Sequence, residues 1–490
     1  MIEQKLNTKR TIFVGFAFFL ITAFWQAYDK IVPLMLTNRF GMEQTTSGFI
    51  MALDNIFALF MLPLFGALSD KTKTKYGKRT PYIVIGTICA IVAFIILSIV
   101  DAYQLALISG HNIPEIYNAL PDTLSAEEKV KELIAITWPI TEANIGILVA
   151  FIAMLLMCLV AMATFRSPAV ALMPDVTVKP LRSKGNAIIN LMGTAGGILV
   201  LVIGMIIKTS THSSYVAYII AVCVVMAIGL ALFMFLVKEP QWNAEMLSAQ
   251  AEIDKICPPD EAEVVGEKKK LSKSQRTSLL LILTSVALWY MGYNAITTKY
   301  SVLCDHILHM SYDFTLIIAQ VAAIVSYIPV GVLASKLGRK KTILIGVALL
   351  TSAFGAGAIL TEIVTMPQYA QTGAPLFAEI LMYFVFAIAG IGWATINVNS
   401  FPMAVELASG SDIGKYTGYY YTASMLAQVI TPIFSGFLMD TISFDILFIY
   451  ATIFAGLAFV TMMFVRHGNA QELNGKTAKE LISDAFSNDD

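Results

Sequence analysis

Apolar residues along this chain gather into twelve runs separated by polar stretches: 11–36, 44–69, 80–101, 143–165, 185–208, 214–237, 277–302, 313–335, 341–361, 376–400, 415–438 and 443–465. Each is close to the roughly 20 residues an α-helix needs to cross a bilayer. The first run is longer than a signal-peptide core and no convincing cleavage site follows it, so it reads as a retained span. Two connections are long. Residues 102–142 contain Pro114, Pro121 and a charged stretch, Glu127–Lys131, that predicts a short helix. Residues 238–276 carry Lys268-Lys269-Lys270 and separate the sixth span from the seventh. They read as a linker between two six-span halves. The expected fold is an all-α polytopic membrane protein with an N-terminal six-helix bundle over 1–237, a linker over 238–276, a C-terminal bundle over 277–466 and a tail over 467–490.

Composition agrees. Hydrophobic residues make up 57% of the 490 and charged residues 14%, against about 25% charged in soluble proteins. So few charges cannot cover a water-soluble surface. The net charge of −1 excludes a basic nucleic-acid binder. Cys89, Cys158, Cys223, Cys257 and Cys304 lie mostly in apolar runs, so a disulfide framework is not indicated. With the N-terminus inside, every Lys and Arg is cytoplasmic except Lys30, Arg39, Lys129, Lys131, Lys208 and Lys299. That bias places both termini in the cytoplasm. The outer loops hold no Asn-x-Ser/Thr sequon, which fits a bacterial inner membrane. The lysines of the 238–276 linker serve first as topology signals, and binding of anionic lipid is their other use.

The halves repeat. Phe24-Trp25-Gln26-Ala27-Tyr28-Asp29 matches Trp289-Tyr290-Met291-Gly292-Tyr293-Asn294 at an offset of 265, and Gly66-Ala67-Leu68 matches Gly331-Val332-Leu333 at the same offset. Gly77-Lys78-Arg79 and Gly338-Arg339-Lys340 then match after a four-residue deletion, and both run into Ile-x-Ile-Gly, ending at Gly86 and Gly346. Ser167-Pro168-Ala169-Val170 and Phe401-Pro402-Met403-Ala404-Val405 pair spans four and ten more loosely. Internal repeats of this kind are common in transporters.

The segment Gly66-Ala67-Leu68-Ser69-Asp70 … Gly77-Lys78-Arg79-Thr80-Pro81-Tyr82 resembles the loop between spans two and three of the major facilitator superfamily. With Arg166-Ser167-Pro168-Ala169 and Asp175, it is most similar to the glycoside–pentoside–hexuronide:cation symporters and the sucrose:proton symporters. The resemblance implies two bundles related by a pseudo-two-fold along the membrane normal. Spans 1, 4, 7 and 10 would line a central cavity, with spans 2, 5, 8 and 11 at its sides. It also implies a cytoplasmic gate containing Asp70, Lys78 and Arg79. The residues suit that role. Gly66 lets two helices approach closely. Asp70 can face the positive end of a helix. Arg79 offers a fork to an acid such as Asp175. The alternative is a basic loop that only fixes topology. In the second half Arg339 takes the corresponding place, but Ser335 stands where Asp70 does, so that gate is expected to be weaker.

Ionisable groups at membrane depth are costly and become functional candidates. Asp54 lies about ten residues from the outer end of span two, roughly 15 Å deep at 1.5 Å per residue, followed by Asn55. Desolvation favours the neutral form of a carboxylate there, which suits cation coupling, with Asp29 as runner-up. A structural acid hydrogen-bonded between helices is the alternative. Trp25 and Tyr28 share a face beside Asp29. An aromatic ring stacks the C–H face of a sugar, and a carboxylate accepts its hydroxyl protons. Trp289, Tyr293, Asn294 and Lys299 offer the same chemistry from span seven. Interfacial belts and core packing use the same aromatics. The resemblance gives Arg166 a role in substrate binding or coupling, although an arginine at the inner end of a span also suits topology. Asn186 and Asn190 lie one turn apart on span five, and Tyr421, Ser424 and Gln428 form a polar stripe on span eleven. The expected binding set is Trp25, Tyr28, Asp29, Arg166, Asn190, Trp289, Tyr293, Asn294, Lys299, Tyr421 and Gln428. Sodium-coupled relatives carry an acid just before the proline of span two. Here Leu62 precedes Pro63, which favours protons.

The reading is a secondary active transporter importing a glycoside, sugar or small oligosaccharide with a proton, acting as a monomer in the bilayer without cofactor, metal or nucleic acid. An exporter of drugs or metabolites is the alternative transporter. The glycine-rich Gly193-Thr194-Ala195-Gly196-Gly197 of span five lacks the Gly-Pro pair common in such exporters. A non-transporting sensor could share the fold. No Walker A loop, HExxH or nucleophile constellation points to an enzyme.

Overall fold

A computed structural model of the chain describes residues 6–467 apart from 122, 179–180, 210–212, 257–271, 367–374 and 406–412. The lysine run Lys268–Lys270, Cys257 and the tail beyond 467 lie outside the described residues. The described residues contain α-helices and no β-strand. The first half runs α1 (Thr8–Asn38), α2 (Gln44–Lys71), α3 (Thr80–Gly110), α4 (Ile113–Asn118), α5 (Ala126–Ala143), α6 (Ile145–Val176), α7 (Arg182–Ile206) and α8 (Val216–Leu236). Then come α9 (Glu239–Ile256), α10 (Lys273–Leu303) continued by a π-turn (Cys304–Leu308), α11 (Tyr312–Leu337), α12 (Arg339–Val364), α13 (Leu376–Val405), α14 (Ile413–Thr441) and α15 (Ile446–Met463). Eleven of these helices are long and apolar enough to cross a membrane, and α11 adds a shorter apolar helix over Tyr312–Tyr327. This is an all-α polytopic membrane protein. Phe60, Ile206 and Phe235 are among the large apolar side chains left on the surface, as lipid contact requires.

The chain divides into two compact units. One comprises Met1–Pro258 with Ser301–Phe314; the other comprises Pro259–Tyr300 with Thr315–Asp490. In the first, α1 packs along α7 and α8, α3 along α6 and α8, and α2 along α6. In the second, α12 packs along α13 and α15. Spans three and four thus pair as spans nine and ten do, and spans three and six as nine and twelve do.

The repeated glycines explain part of this symmetry. A Cβ at Gly86 would lie 2.7 Å from Phe165 Cβ and 2.9 Å from the Ala161 carbonyl of α6. One at Gly346 would lie 2.9 Å from the Gly392 carbonyl of α13. Each glycine lets the third helix of its half touch the backbone of the fourth. Gly77 and Gly338 both have positive φ, 107° and 80°, a region open to glycine and strained for other residues. Each ends the short turn from which the next span starts.

Two connections hold more structure than expected. Residues 102–142 do not form a loop with one short helix. α3 continues to Gly110, and α5 spans eighteen residues behind a capping box in which Ser125 and Glu128 satisfy each other's backbone N–H groups. Leu133 of α5 joins Ile108 and Ile113 in a small apolar cluster. The first part of the linker is also a helix, α9, packed against α6. Its polar composition gave no span signal. Trp242, nearly buried, and Glu239 anchor it.

Candidate functional site

The first unit gathers Trp25, Tyr28 and Asp29 of α1, Asp54 and Asn55 of α2, and Arg166 of α6. Asp54 accepts hydrogen bonds from the backbone and side-chain amides of Asn55, both at 2.6 Å. Arg166 lies within electrostatic reach of both Asp54 and Asp29, and the two carboxylates sense each other. Its guanidinium sits over the Trp25 ring, 5.7 Å from the centroid, a cation–π geometry. Trp25 packs edge-on to Tyr28 at 5.2 Å. The Tyr28 hydroxyl and Trp25 Nε1 are buried without a hydrogen-bond partner among the described residues. α2 places no basic residue beside Asp54, and α6 supplies one from another helix. Two acids therefore share one arginine, and Asp29 and Arg166 belong to the same charge cluster as Asp54.

A second cluster lies at the ends of α2, α3 and α6. Arg79 is buried. Its Nε donates to Asp175 Oδ2 at 2.7 Å, and its Nη atoms reach Asp70, Ser69 Oγ and the Gly66 carbonyl. Lys78 Nζ stands 3.1 Å from the same Asp175 oxygen. A Cβ at Gly66 would lie 2.9 Å from Ser167 Oγ of α6. Five of the expected gate residues, Gly66, Asp70, Lys78, Arg79 and Asp175, are thus in one network.

The network has a member that sequence reading missed. Glu239, the first residue of α9, is 2% exposed. Its carboxylate accepts from the backbone N–H of Lys78 (2.8 Å), Arg79 (2.9 Å) and Thr80 (2.7 Å), and from Thr80 Oγ1 (2.7 Å). It caps α3, whose own N-cap residue Arg79 makes no side-chain cap bond. Free N–H groups and the helix dipole favour an anion there. Gly77 makes room, since a Cβ would collide with the Glu239 carboxyl. Asn243, one turn on, donates to the Asp175 carbonyl at 2.6 Å. Arg10 of α1 pairs with Glu245 and lies over Trp242. Its hydrogen bond, first, and that of Gln241 hold the Glu245 carboxyl below the ordinary glutamate value. An acid following a basic residue at the end of a span was the one available signal, and the linker composition concealed it.

In the second unit the expected residues meet aromatic partners. Tyr293 stacks on Trp393 of α13 with centroids 3.7 Å apart and planes within 6°, and Tyr290 meets the same indole edge-on at 5.3 Å. Tyr290 hydrogen-bonds Tyr420, whose hydroxyl is 2.8 Å from Ser400 Oγ. Trp393 and Tyr290 were absent from the expected binding set. Trp289 is fully buried, and among the described residues neither its Nε1 nor Asn294 Oδ1 has a hydrogen-bond partner. Lys299 is buried within electrostatic reach of Asp440. On α14, Tyr421 is exposed, while Ser424 and Gln428 bond backward along the helix, Ser424 to the Tyr421 carbonyl and Gln428 to the Ser424 carbonyl. Arg339 opens α12 and is partly buried. Asn190 on α7 is exposed and donates to the Asn186 carbonyl.

At the other end of the first unit, basic residues expected outside are paired. Arg39 faces Asp101, both fully buried, at 3.6 Å. Lys30 donates to Asp313 Oδ2 at 2.7 Å. Asn38 Nδ2 reaches Asp305 (3.0 Å) and the Tyr215 hydroxyl (3.2 Å), and Asn38 Oδ1 is 2.6 Å from His306 Nε2.

Known proteins give the fold its context. The profile described as "MFS/sugar transport protein" matches residues 13–108. None of the curated proteins matches the chain in sequence. Among solved structures it is similar to the inward-open xylose transporter XylE from E. coli, at 14% identity, TM-score 0.61, with 96% of this chain and 98% of that one covered. A bacterial homologue of the iron transporter ferroportin gives 13%, 0.63, 94% and 99%. The nucleoside transporter NupG gives 12%, 0.56, 94% and 100%. At such identities the likeness establishes the fold alone. The profile described as "Major Facilitator Superfamily" matches residues 133–370 and 314–488, most of the sequence; with the repeated spans and the charged network between α2 and α3, it establishes that the chain belongs to the major facilitator superfamily.

Proposed function

We propose that the chain is a secondary active transporter that imports a glycoside, sugar or small oligosaccharide together with a proton by alternating access. The observation that carries this reading is the charge inventory of the first unit: Asp29 and Asp54 share Arg166. Lys30 does not cancel the surplus, because it is bonded to Asp313. An uncompensated carboxylate at membrane depth is costly, and a bound proton removes that cost. The loaded and empty protein then prefer different states, which is what coupling requires. Asp54 is the main coupling residue in this reading, and Asp29 is shared with the sugar.

Trp25 and Tyr28, with Trp289, Tyr293 and Trp393, supply faces for sugar C–H groups. Arg166, Asn190, Asn294, Lys299, Tyr421 and Gln428 supply hydroxyl partners. The match to sugar transport over 13–108 and the fold of a xylose transporter support this substrate class. The Asp70–Arg79–Asp175 network, with Gly66 and Lys78, acts as the cytoplasmic gate and Arg339 as its second-half counterpart. The protein works as a monomer, with both termini in the cytoplasm, in a bacterial inner membrane. It needs no enzyme activity or cofactor.

The test is uptake into proteoliposomes across a panel of mono- and oligosaccharides under an imposed pH gradient or an imposed sodium gradient. Accumulation of one sugar driven by the pH gradient alone is expected. Accumulation driven only by sodium would overturn proton coupling, and no sugar uptake or counterflow would overturn the substrate class.

A further inference from the structure

A cavity of about 270 Å³ opens in the first unit between the start of α1, the end of α6 and α9. The residues assigned above to sugar, cation and gate lie outside its lining. Its walls are apolar: Val14 of α1, Met173 and Val176 of α6, and Met246 of α9, beside Trp242, which is 6% exposed. The rim is charged. Arg10 and Glu245 bond to each other there with side chains 39% and 44% exposed, so they stand in water while the indole does not. The guanidinium also lies over the Trp242 ring.

The local field favours an anion. The first turn of α1 holds Lys9 and Arg10 and no acid, and it is the positive end of that helix. The carbonyls at the end of α6 are already taken: Arg182 donates to those of Pro174 and Thr177, and Asn243 to that of Asp175. Glu245 is the one acid on the lining, and it engages Nη1 of the guanidinium. Arginine offers five N–H donors in a planar fork, so a second carboxylate can dock on the same group. A charged rim over apolar walls fits a molecule with one anionic head and a compact apolar body. Pockets for drug-sized ligands start at about 300 Å³, so this one takes a small acid and cannot house both chains of a phospholipid. Its two methionines adapt readily to the shape of such a body.

We infer that this cavity is a regulatory ligand site, separate from the transport site, that binds an aryl or medium-chain carboxylate with its head on Arg10 and its body against Trp242 and Met246. The occupant touches α1, α6 and α9 together and so holds α9 in place. Glu239 lies on the same helix and clamps the start of α3. A filled cavity therefore stabilises the Arg79 network. That consequence rests on reading the network as the gate; the binding site does not. A lipid phosphate shares the head-group chemistry, and the water-facing rim favours the soluble acid.

The probe is 3-phenylpropanoate, titrated by calorimetry into the full chain in phosphatidylcholine nanodiscs. Saturable binding at one site is expected, and the neutral 3-phenylpropanamide should bind about tenfold more weakly, the size of one charge-assisted contact. Arg10→Gln should weaken the acid by the same factor. Glu245→Gln should tighten it about threefold, because the competing carboxylate of an exposed pair is gone. Ala249→Phe fills the cavity with both charges intact and should abolish binding. No binding, equal binding of acid and amide, or weaker binding to Glu245→Gln overturns the anion site. Undiminished binding to a folded Ala249→Phe protein overturns its location. Phosphatidylglycerol added to the discs should leave the affinity unchanged; competition by it assigns the site to lipid and overturns the soluble acid. Hydrogen exchange on the unaltered chain is independent of variant folding: the bound probe should slow the amides of α9, and unchanged exchange overturns the proposal. Sugar counterflow runs without a gradient, so a permeant acid cannot act on it by carrying protons. Saturating probe should slow it about fivefold, the low end of coupling between sites. If binding follows the charge pattern and counterflow is unchanged, the site stands and its control of the gate is overturned. A chain with no sugar counterflow at all fails the sugar reading, while the binding results still decide the site.

Discussion

At the depth of Asp29 the first unit carries charge, while the matching stretch of the second is neutral and aromatic. Asp29 corresponds to Asn294 at the 265 offset, and Asp54 to Ala319. Pairing Ser167-Pro168 with Phe401-Pro402 sets Arg166 opposite Ser400. Three ionisable positions thus become an amide, a methyl and a hydroxyl. Where Arg166 leans over Trp25 in α1, Ser400 is bonded to Tyr420, and Trp393 is stacked on Tyr293. The packing repeat survives because it needs only glycines at fixed places. On the proposed reading one charge cluster suffices to couple transport, and each further buried charge adds a desolvation cost. The first unit would then hold the cation, and the second would offer aromatic faces to a hydroxylated ring.

The largest expected effect comes from erasing the difference in the first unit. Asp54→Asn leaves Asp29 and Arg166 balanced and removes the surplus carboxylate. Accumulation driven by a pH gradient should vanish, while counterflow stays largely intact. Asp29→Asn should instead weaken sugar binding. Concentrative uptake by the Asp54→Asn protein would break the assignment. The converse change, Asn294→Asp, places an unmatched acid in the second unit and is expected to cost about 2–3 kcal/mol of stability, read as a lower thermal transition.

Next come the charged turns after α2 and α11. Arg79→Ala strips the buried network of its donor fork. It should shift the protein between inward- and outward-accessible states and cost about 1–3 kcal/mol, the range for leaving buried polar groups without partners. Glu239→Ala should shift accessibility in the same direction with a smaller cost, since water can reach part of the α3 terminus. If site-specific labelling is unchanged in both, the loop is a topology signal only.

Much of this was legible beforehand. Twelve apolar runs, the 265 offset and the Asp70–Arg79–Asp175 trio depend on periodicity and short motifs, which a sequence displays directly. The α9 clamp did not show, because Glu239 acts on backbone amides about 160 residues earlier and its helix is polar. Trp393 and Tyr290 were missed because their value lies in stacking across two helices, whereas along the chain they look like ordinary core aromatics. The basic residues Lys30 and Arg39 looked like exceptions to the charge bias. Their acids, Asp313 and Asp101, come from other helices, and no spacing rule connects them.

A smaller effect separates the two repeated glycines. Gly77→Ala and Gly338→Ala both force a Cβ residue into positive φ, which costs about 1–2 kcal/mol. At Gly77 the added Cβ would also collide with the Glu239 carboxyl. Gly77→Ala should therefore lower the thermal transition further than Gly338→Ala. Its excess should largely disappear in a Glu239→Ala background, where the displaced group is gone. Equal losses in both backgrounds would mean that backbone strain accounts for the whole effect.

The smallest expected effect concerns pH at the surface of the first unit. Glu245 is solvent-exposed and titrates below its ordinary value of 4.5 because Arg10, and then Gln241, hydrogen-bond its ionised form. A depressed folded-state pKa stabilises the fold above the unfolded value and loses that contribution as pH falls through the folded value. The contribution is therefore complete at neutral pH and fades below about 4.5. Salt should screen it, as for any exposed pair. Comparing the thermal transitions of the wild-type and Glu245→Gln proteins from pH 7 to pH 3.5 should give a small difference at neutral pH that closes in acid. A Glu245→Gln difference that persists unchanged at pH 3.5 would show that α9 is held by Trp242 and Glu239 packing alone, and that the Arg10–Glu245 contact contributes no electrostatic stability.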